Sequence, residues 1–239
     1  MDDAPPTIGL ETQTVVDHDL HQHGHTTLME ECLAFVNTSH VARGRVVDDL
    51  ATPEAAVLWF SERSFIHPDA RDRLLVAYGD DPSLGAADLA LVRRVRDSLR
   101  GLFESAVTRR PPTAPDLRTV NRALRTQYVY VLVPAADGIS LGHRHVGDPV
   151  DGALARIAEG VARELSQGTP ERLRICESAE CREVFMDRSR TGKRRWCDMS
   201  TCGNRAKAAR HRARRRASED EATLGLLRPP ISASIEPSA

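Results

Sequence analysis

The sequence predicts an α+β protein: a mainly helical N-terminal domain with one β-hairpin, followed by a small module built around cysteines. Three observations carry this. Apolar residues recur every three or four positions through most of residues 27–168, the period of an amphipathic helix. That period changes to two only over residues 128–146. Four of the five cysteines crowd into the 27 residues from Cys176 to Cys202.

With 239 residues and 41% apolar content, the chain can bury a core of ordinary size. No segment approaches the roughly 20 apolar residues a bilayer span needs, and the MDDAPP start lacks a basic residue followed by an apolar run. Membrane and secreted readings are set aside, and the cytoplasm is the expected location.

Residues 1–26 are polar and proline-bearing, and are expected as a disordered tail. Its cluster of His18, His21, His23 and His25 reads as solvated, with weak metal binding as the alternative. Residues 27–39 form a helix with Leu28, Cys32, Phe35 and Val36 on one face, which makes Cys32 a core residue. A second helix starts after Thr52, an N-cap followed by Pro53 at the first helical position. Residues 86–109 give the strongest helical signal, with Leu89, Val92, Val95, Leu99 and Ala106 on one side and arginines on the other. Pro111 and Pro112 end it, and Pro115 with Asp116 opens a helix to about Arg125. Residues 128–133 and 139–146 pair as a hairpin around 134–138. Residues 150–167 return to helix on Val150, Leu154, Ile157, Val161 and Leu165, with Gly168 as the C-cap. The predicted divisions are a tail (1–26), a helical and hairpin domain (27–170), the cysteine module (171–217) and a disordered tail (218–239).

The near-neutral total, −1, hides a strong asymmetry. Residues 171–217 carry 15 Lys and Arg against 6 Asp and Glu, a net of +9, while residues 1–170 carry −7. An acidic body with one cationic segment points to a polyanion partner touched by that segment alone. A solvated charged helix is the competing reading.

Cys176 and Cys181 form a Cys-x4-Cys pair, as do Cys197 and Cys202, with fifteen residues between the pairs. Two thiolate pairs brought together by a loop suit one tetrahedral Zn²⁺ at sulfur–metal distances of about 2.3 Å. Two disulfides are the alternative, but a chain without an export signal resides where disulfides are rare. Four thiolates leave no open position for water, so the zinc is structural. Residues 184–188 and 193–197 are expected to pair around 189–192, with Gly192 supplying a positive φ. Cys202 then opens a helix from Gly203 to about Ser218. Ligand pair, hairpin, ligand pair and helix make a small treble-clef-like zinc finger.

On a helical wheel Ala206, Ala209, Ala213 and Ala217 form a stripe that would pack on the hairpin. Arg205, Lys207, Arg210, His211, Arg212, Arg214 and Arg215 cover the rest, and Lys193, Arg194 and Arg195 extend the charge along the hairpin. With no acidic residue on that helix to compensate, nucleic-acid phosphate is the expected partner, and these ten residues are the candidate contacts. Trp196, beside Cys197, reads as a lid over the metal, with base stacking as the alternative. Recognition of exposed bases uses several aromatics, and only Phe185 and Trp196 are present, which favours duplex DNA over RNA.

The stretch CESAECREVFMDRSRTGKRRWCDMSTCGNRAKAARHRARR resembles the CGNR zinc finger, named for Cys202-Gly203-Asn204-Arg205. All four ligands, Phe185, Asp187-Arg188-Ser189, Trp196 and Lys207 fall within the match. The preceding LAFVNT, with Arg43, Gly44, Arg45 and Asp49, is similar to the start of the ABATE domain that precedes this finger. The resemblance spans about residues 30–217. It implies a bacterial transcription regulator whose finger binds DNA, associated with the nucleoid, and whose N-terminal domain senses a small molecule or a protein partner.

Asn37, Thr38 and Arg43 follow the first helix and either line a ligand pocket or cap that helix. A homodimer would compensate for the small footprint of one finger. An RNA- or ribosome-associated module is the competing function. An enzyme is not expected, because no P-loop, G-x-S-x-G or His-Glu-x-x-His sequence is present.

Overall fold

The computed structural model describes residues 25–42, 44–135 and 138–226. Most of the expected N-terminal tail, with His18, His21 and His23, lies outside these residues, as do Arg43 and the last thirteen residues. The chain runs α1 (His25–Val36), β1 (Ser39–Ala42), β2 (Arg45–Asp48), α2 (Pro53–Glu62), α3 (Pro68–Asp80), α4 (Pro82–Thr108) and α5 (Ala114–Ala123). It continues through β3 (Gln127–Ala135), β4 (Gly138–Val146), α6 (Pro149–Gln167), β5 (Leu173–Ile175), β6 (Val184–Met186) and α7 (Asn204–Leu226). Each sheet is a two-stranded antiparallel hairpin.

One local device, an oxygen-bearing cap before a first-turn proline, starts four of the helices; α3 uses the His67 ring nitrogen in the same way. Thr52, Asp81, Thr113 and Asp148 each accept a hydrogen bond from a first-turn amide, with a proline in that turn. The side-chain oxygen satisfies an amide with no intrahelical partner, and proline lacks the N–H that would be orphaned there.

The core gathers around α4, whose 27 residues span about 40 Å at 1.5 Å per residue. Val92, Val95, Leu99 and Phe103 of α4 are buried with Phe35 and Val36 of α1, Val57 and Phe60 of α2, and Leu154 and Ile157 of α6. Few aromatics are available, and four of them pack together: Phe35, Trp59, Phe60 and Phe65 have ring centroids 5.6–6.3 Å apart. Cys32 is fully buried, its thiol donating to the Ile157 carbonyl at 3.4 Å, and burial pushes that thiol up to about 12.

Two elements were not expected from the sequence. The N-terminal domain has a second hairpin, β1–β2, turning at Gly44 with φ +77°, and α3 fills the segment before α4. The β1–β2 hairpin is fixed by charge: Arg96, 3% exposed, donates to both Asp48 carboxylate oxygens at 2.6 and 3.0 Å and to the Thr38 hydroxyl at 3.1 Å. Burial by itself would raise the Asp48 carboxyl, but Arg96 holds it below the ordinary carboxylate range. Gly168 does stand at the C-cap of α6, but at φ −89°. Glycine fits there because the Glu164 carboxylate lies 2.5–2.6 Å from where a Cβ would be.

Candidate metal centre and basic helix

The Cys176, Cys181, Cys197 and Cys202 sulfurs all lie within 4.8 Å of one another. Cys181 Sγ is 3.5 Å from Cys197 Sγ, which is 3.8 Å from Cys202 Sγ. Sulfurs bonded to one tetrahedral Zn²⁺ at about 2.3 Å would be about 3.8 Å apart, whereas a disulfide needs about 2.05 Å. All five cysteines are free thiols. Burial pushes Cys181 up to about 12 and Cys197 higher still, whereas at Cys176 burial is outweighed by hydrogen bonds from the Cys197 and Ser178 backbone and from the Cys181 and Cys197 thiols, which hold it below the ordinary thiol range. The four sulfurs fit a single structural zinc.

Local backbone geometry places the ligands. The first pair sits on the turn joining β5 to β6: the Cys176 amide donates to the Glu183 carbonyl at 2.8 Å and the Cys181 amide to Ser178 at 3.0 Å. Of the second pair, Cys197 precedes and Cys202 lies within a π-helical turn, Met199–Gly203, capped by Asp198, whose carboxylate takes the Ser200 amide at 2.6 Å. That turn runs straight into α7. Trp196 and Phe185 pack against the cysteines, so Trp196 is a wall of the metal centre, as the lid reading has it.

The hairpin of this module differs from the sequence expectation. β6 pairs with β5, which precedes the first cysteine, and not with residues 193–197. Asp187 replaces the missing strand. Fully buried, it accepts from the Ser189 amide at 2.9 Å and the Arg194 amide at 2.8 Å, closing the 187–194 loop. Burial opposes its ionisation, yet the Ser189 and Arg194 hydrogen bonds hold its carboxyl below the ordinary range. Gly192 has the expected positive φ, +60°, and a side chain there would also strike the Arg172 guanidinium.

β5 and β6 belong to the body as much as to the finger. Leu173 and Val184 are 0% and 1% exposed within the same core as Phe35 and Leu99. Asn37 makes a two-way bond with β6, donating to the Val184 carbonyl at 2.8 Å and accepting from its amide at 3.0 Å. Arg100 of α4 donates to the Arg182 carbonyl at 2.6 Å. The polar atoms of Asn37 are thus spent on docking the finger. Thr38 is buried, donating to the Phe35 carbonyl at 2.7 Å.

α7 behaves differently. Every residue from 204 to 219 is exposed except Ala206, which is half-buried. The expected packing of the alanine stripe is therefore overturned: Ala209, Ala213 and Ala217 face solvent. Alanine's short side chain suits a buried contact and an exposed helix equally, so a stripe of it does not say which. The helix also continues to Leu226 instead of ending near Ser218.

The ten candidate phosphate contacts divide by what already holds them. Arg194 is half-buried, bonds the Cys197 carbonyl and lies 5.3 Å over the Phe185 ring, a structural position. Arg195 pairs with Glu177 at 2.5 Å, Arg205 with Glu180 at 3.2 Å and Arg215 with Glu219 at 3.3 Å. The cationic helix is thus partly compensated, against expectation, by acids at both of its ends. Arg210 reaches, among the described residues, only the Ala206 carbonyl of its own helix. Lys193, Lys207, His211, Arg212 and Arg214 are exposed, with no ion pair among the described residues.

Residues 172–215 match the CGNR zinc finger. Residues 31–168 match the family named ABATE, described as "Putative stress-induced transcription regulator". No curated protein matches the chain.

Proposed function

The chain belongs to the ABATE family and carries a CGNR zinc finger, and from that premise we propose that it is a transcription regulator binding duplex DNA through α7. One observation carries this reading: a solvent-exposed helix that leaves the metal centre with Lys207, His211, Arg212 and Arg214 uncommitted. Seven Lys and Arg side chains lie between residues 205 and 216 of α7. Neighbouring like charges cost a helix a few tenths of a kcal/mol per pair, and phosphate oxygens would offset that cost. A helix of this diameter enters the major groove, where exposed arginines reach phosphates and base edges.

In this proposal zinc fixes where α7 begins and takes no part in chemistry, and the protein has no catalytic activity. It acts in the cytoplasm, at the nucleoid. The N-terminal domain carries the response to a small molecule or protein partner. Among the described residues no helix is long and apolar enough to cross a membrane. A homodimer would present two α7 helices to paired half-sites. Leu132 and Ile139, 72% and 76% exposed near the end of the β3–β4 hairpin, are apolar surface available to such a contact.

Selection of genomic fragments by zinc-loaded protein at about 0.15 M salt, with competitor RNA present, tests the proposal. The expected result is a shared short duplex motif. Recovery of RNA alone, or of fragments with no common motif, would contradict sequence-specific DNA binding and favour an RNA- or ribosome-associated module.

A further inference from the structure

A cleft of about 1030 Å³ opens between α4, α5 and the start of α6. Four exposed arginines line it: Arg94 from α4, Arg118 and Arg122 from α5, and Arg125 just beyond. Unpartnered exposed arginines occur elsewhere on the surface, but these four share one cavity and form no ion pair with any described residue. Neighbours on α4 show the contrast, since Arg93 and Arg96 both reach Asp48 and Arg100 reaches Glu104. Arg118 and Arg122 are one helical turn apart, a spacing at which like charges repel.

The lining also holds His145 and the carboxylates of Asp148 and Asp151, of which Asp148 accepts from the Val150 and Asp151 amides at the start of α6. Leu91, Val95 and Leu154 line the cleft with apolar surface. The volume is at the upper end of the range for small-molecule sites, about 300–1,000 Å³.

We propose that this cleft binds a small organic oxyanion, a carboxylate or phosphate ester, with its charge among Arg94, Arg118, Arg122 and Arg125 and its carbon body on the apolar wall. This deepens the regulator reading and rests on it for the ligand's role as effector. α4 links the two places, carrying Arg94 at the cleft and Arg100 on the finger's Arg182 carbonyl.

Phenyl phosphate, benzoate and phenol are titrated calorimetrically into zinc-loaded full-length protein, and DNA affinity is measured on the same samples. Phenyl phosphate, benzoate or both should bind saturably, and phenol should not. Binding should weaken about tenfold or more in Arg118→Ala/Arg122→Ala, equivalent to at least one lost charge-assisted hydrogen bond. Preference between the two anions separates a phosphate site from a carboxylate site. No saturable anion binding, or equal binding by the double variant, overturns the proposal. Loss of DNA affinity in the double variant without anion binding by the wild type would make these arginines a nucleic-acid surface instead. If the anion binds as described but no DNA does, the cleft stands and the regulator reading falls.

Discussion

The two halves of the finger are held by different physics. The β5–β6 half rests on the body, with Leu173 and Val184 inside the main core and Asn37 bonding both backbone atoms of Val184. The half from residue 195 onward rests on the metal ligands, Trp196 and an exposed helix. One sequence module is therefore two mechanical parts. The body fixes the first cysteine pair, and the metal transmits that position to α7.

Removing the metal should separate the halves most sharply. In Cys181→Ser, the loss of a four-thiolate site removes metal-linked folding energy on the order of 10 kcal/mol. Zinc content should fall to zero and α7 should lose helicity by circular dichroism, while the body's melting transition persists. A metal-free variant with α7 intact would show that the helix does not depend on zinc.

The body's half should break with the body. Leu173→Ala empties a fully buried position and should lower global stability by about 2–5 kcal/mol in denaturant unfolding. Asp48→Asn strips the buried Arg96 of its counter-charge and should cost about 3–5 kcal/mol. The sign of the pH dependence follows from the lowered Asp48 carboxyl. Its stabilisation is fully present above the unfolded value of about 3.9 and is lost as pH falls through the lower folded value. Wild-type stability should therefore decline below about pH 4, and Asp48→Asn should flatten that decline.

These contrasts also explain what the sequence made legible. The metal ligands were readable because their chemistry is local: two Cys-x4-Cys pairs admit few alternatives. Helix starts at Thr52 and at Pro115-Asp116 were readable for the same reason, since caps act within one turn. The β1–β2 hairpin had a signal, Gly44 between Val41 and Val46-Val47, but its strands are four residues each and their anchor, Arg96, is 48 residues from Asp48. The proline and aspartate opening α3, Pro68-Asp69, matched the signal read at Pro115-Asp116. Docking of β6 depended on Asn37, 147 residues away, and no local pattern reports that. Of the two polar residues after α1, Thr38 caps that helix through the Phe35 carbonyl while also accepting from Arg96, and Asn37 bonds Val184 far along the chain. The role of Asp187 as a substitute strand partner was equally invisible to propensity.

Smaller effects sharpen the comparison at the junction. Asn37→Ala removes both bonds to Val184 and should cost about 1–3 kcal/mol, because two backbone groups lose their partner. Metal content should be unchanged. On α7, Arg214→Ala should leave stability within about 0.5 kcal/mol and flatten the salt dependence of duplex binding by about one phosphate contact. Arg215→Ala should flatten it less, since Glu219 already pairs with Arg215. Equal slopes for the two variants would place the contact face elsewhere on the helix.

Hydrogen exchange on the full-length protein, zinc-loaded and then chelated, tests the division of the finger most directly. The predicted result is loss of protection confined to residues from about 195 through the start of α7, with Leu173–Ile175 and Val184–Met186 retaining the protection of the body core. Simultaneous loss across both hairpin strands and the helix would contradict it, and would make the finger a single zinc-dependent unit.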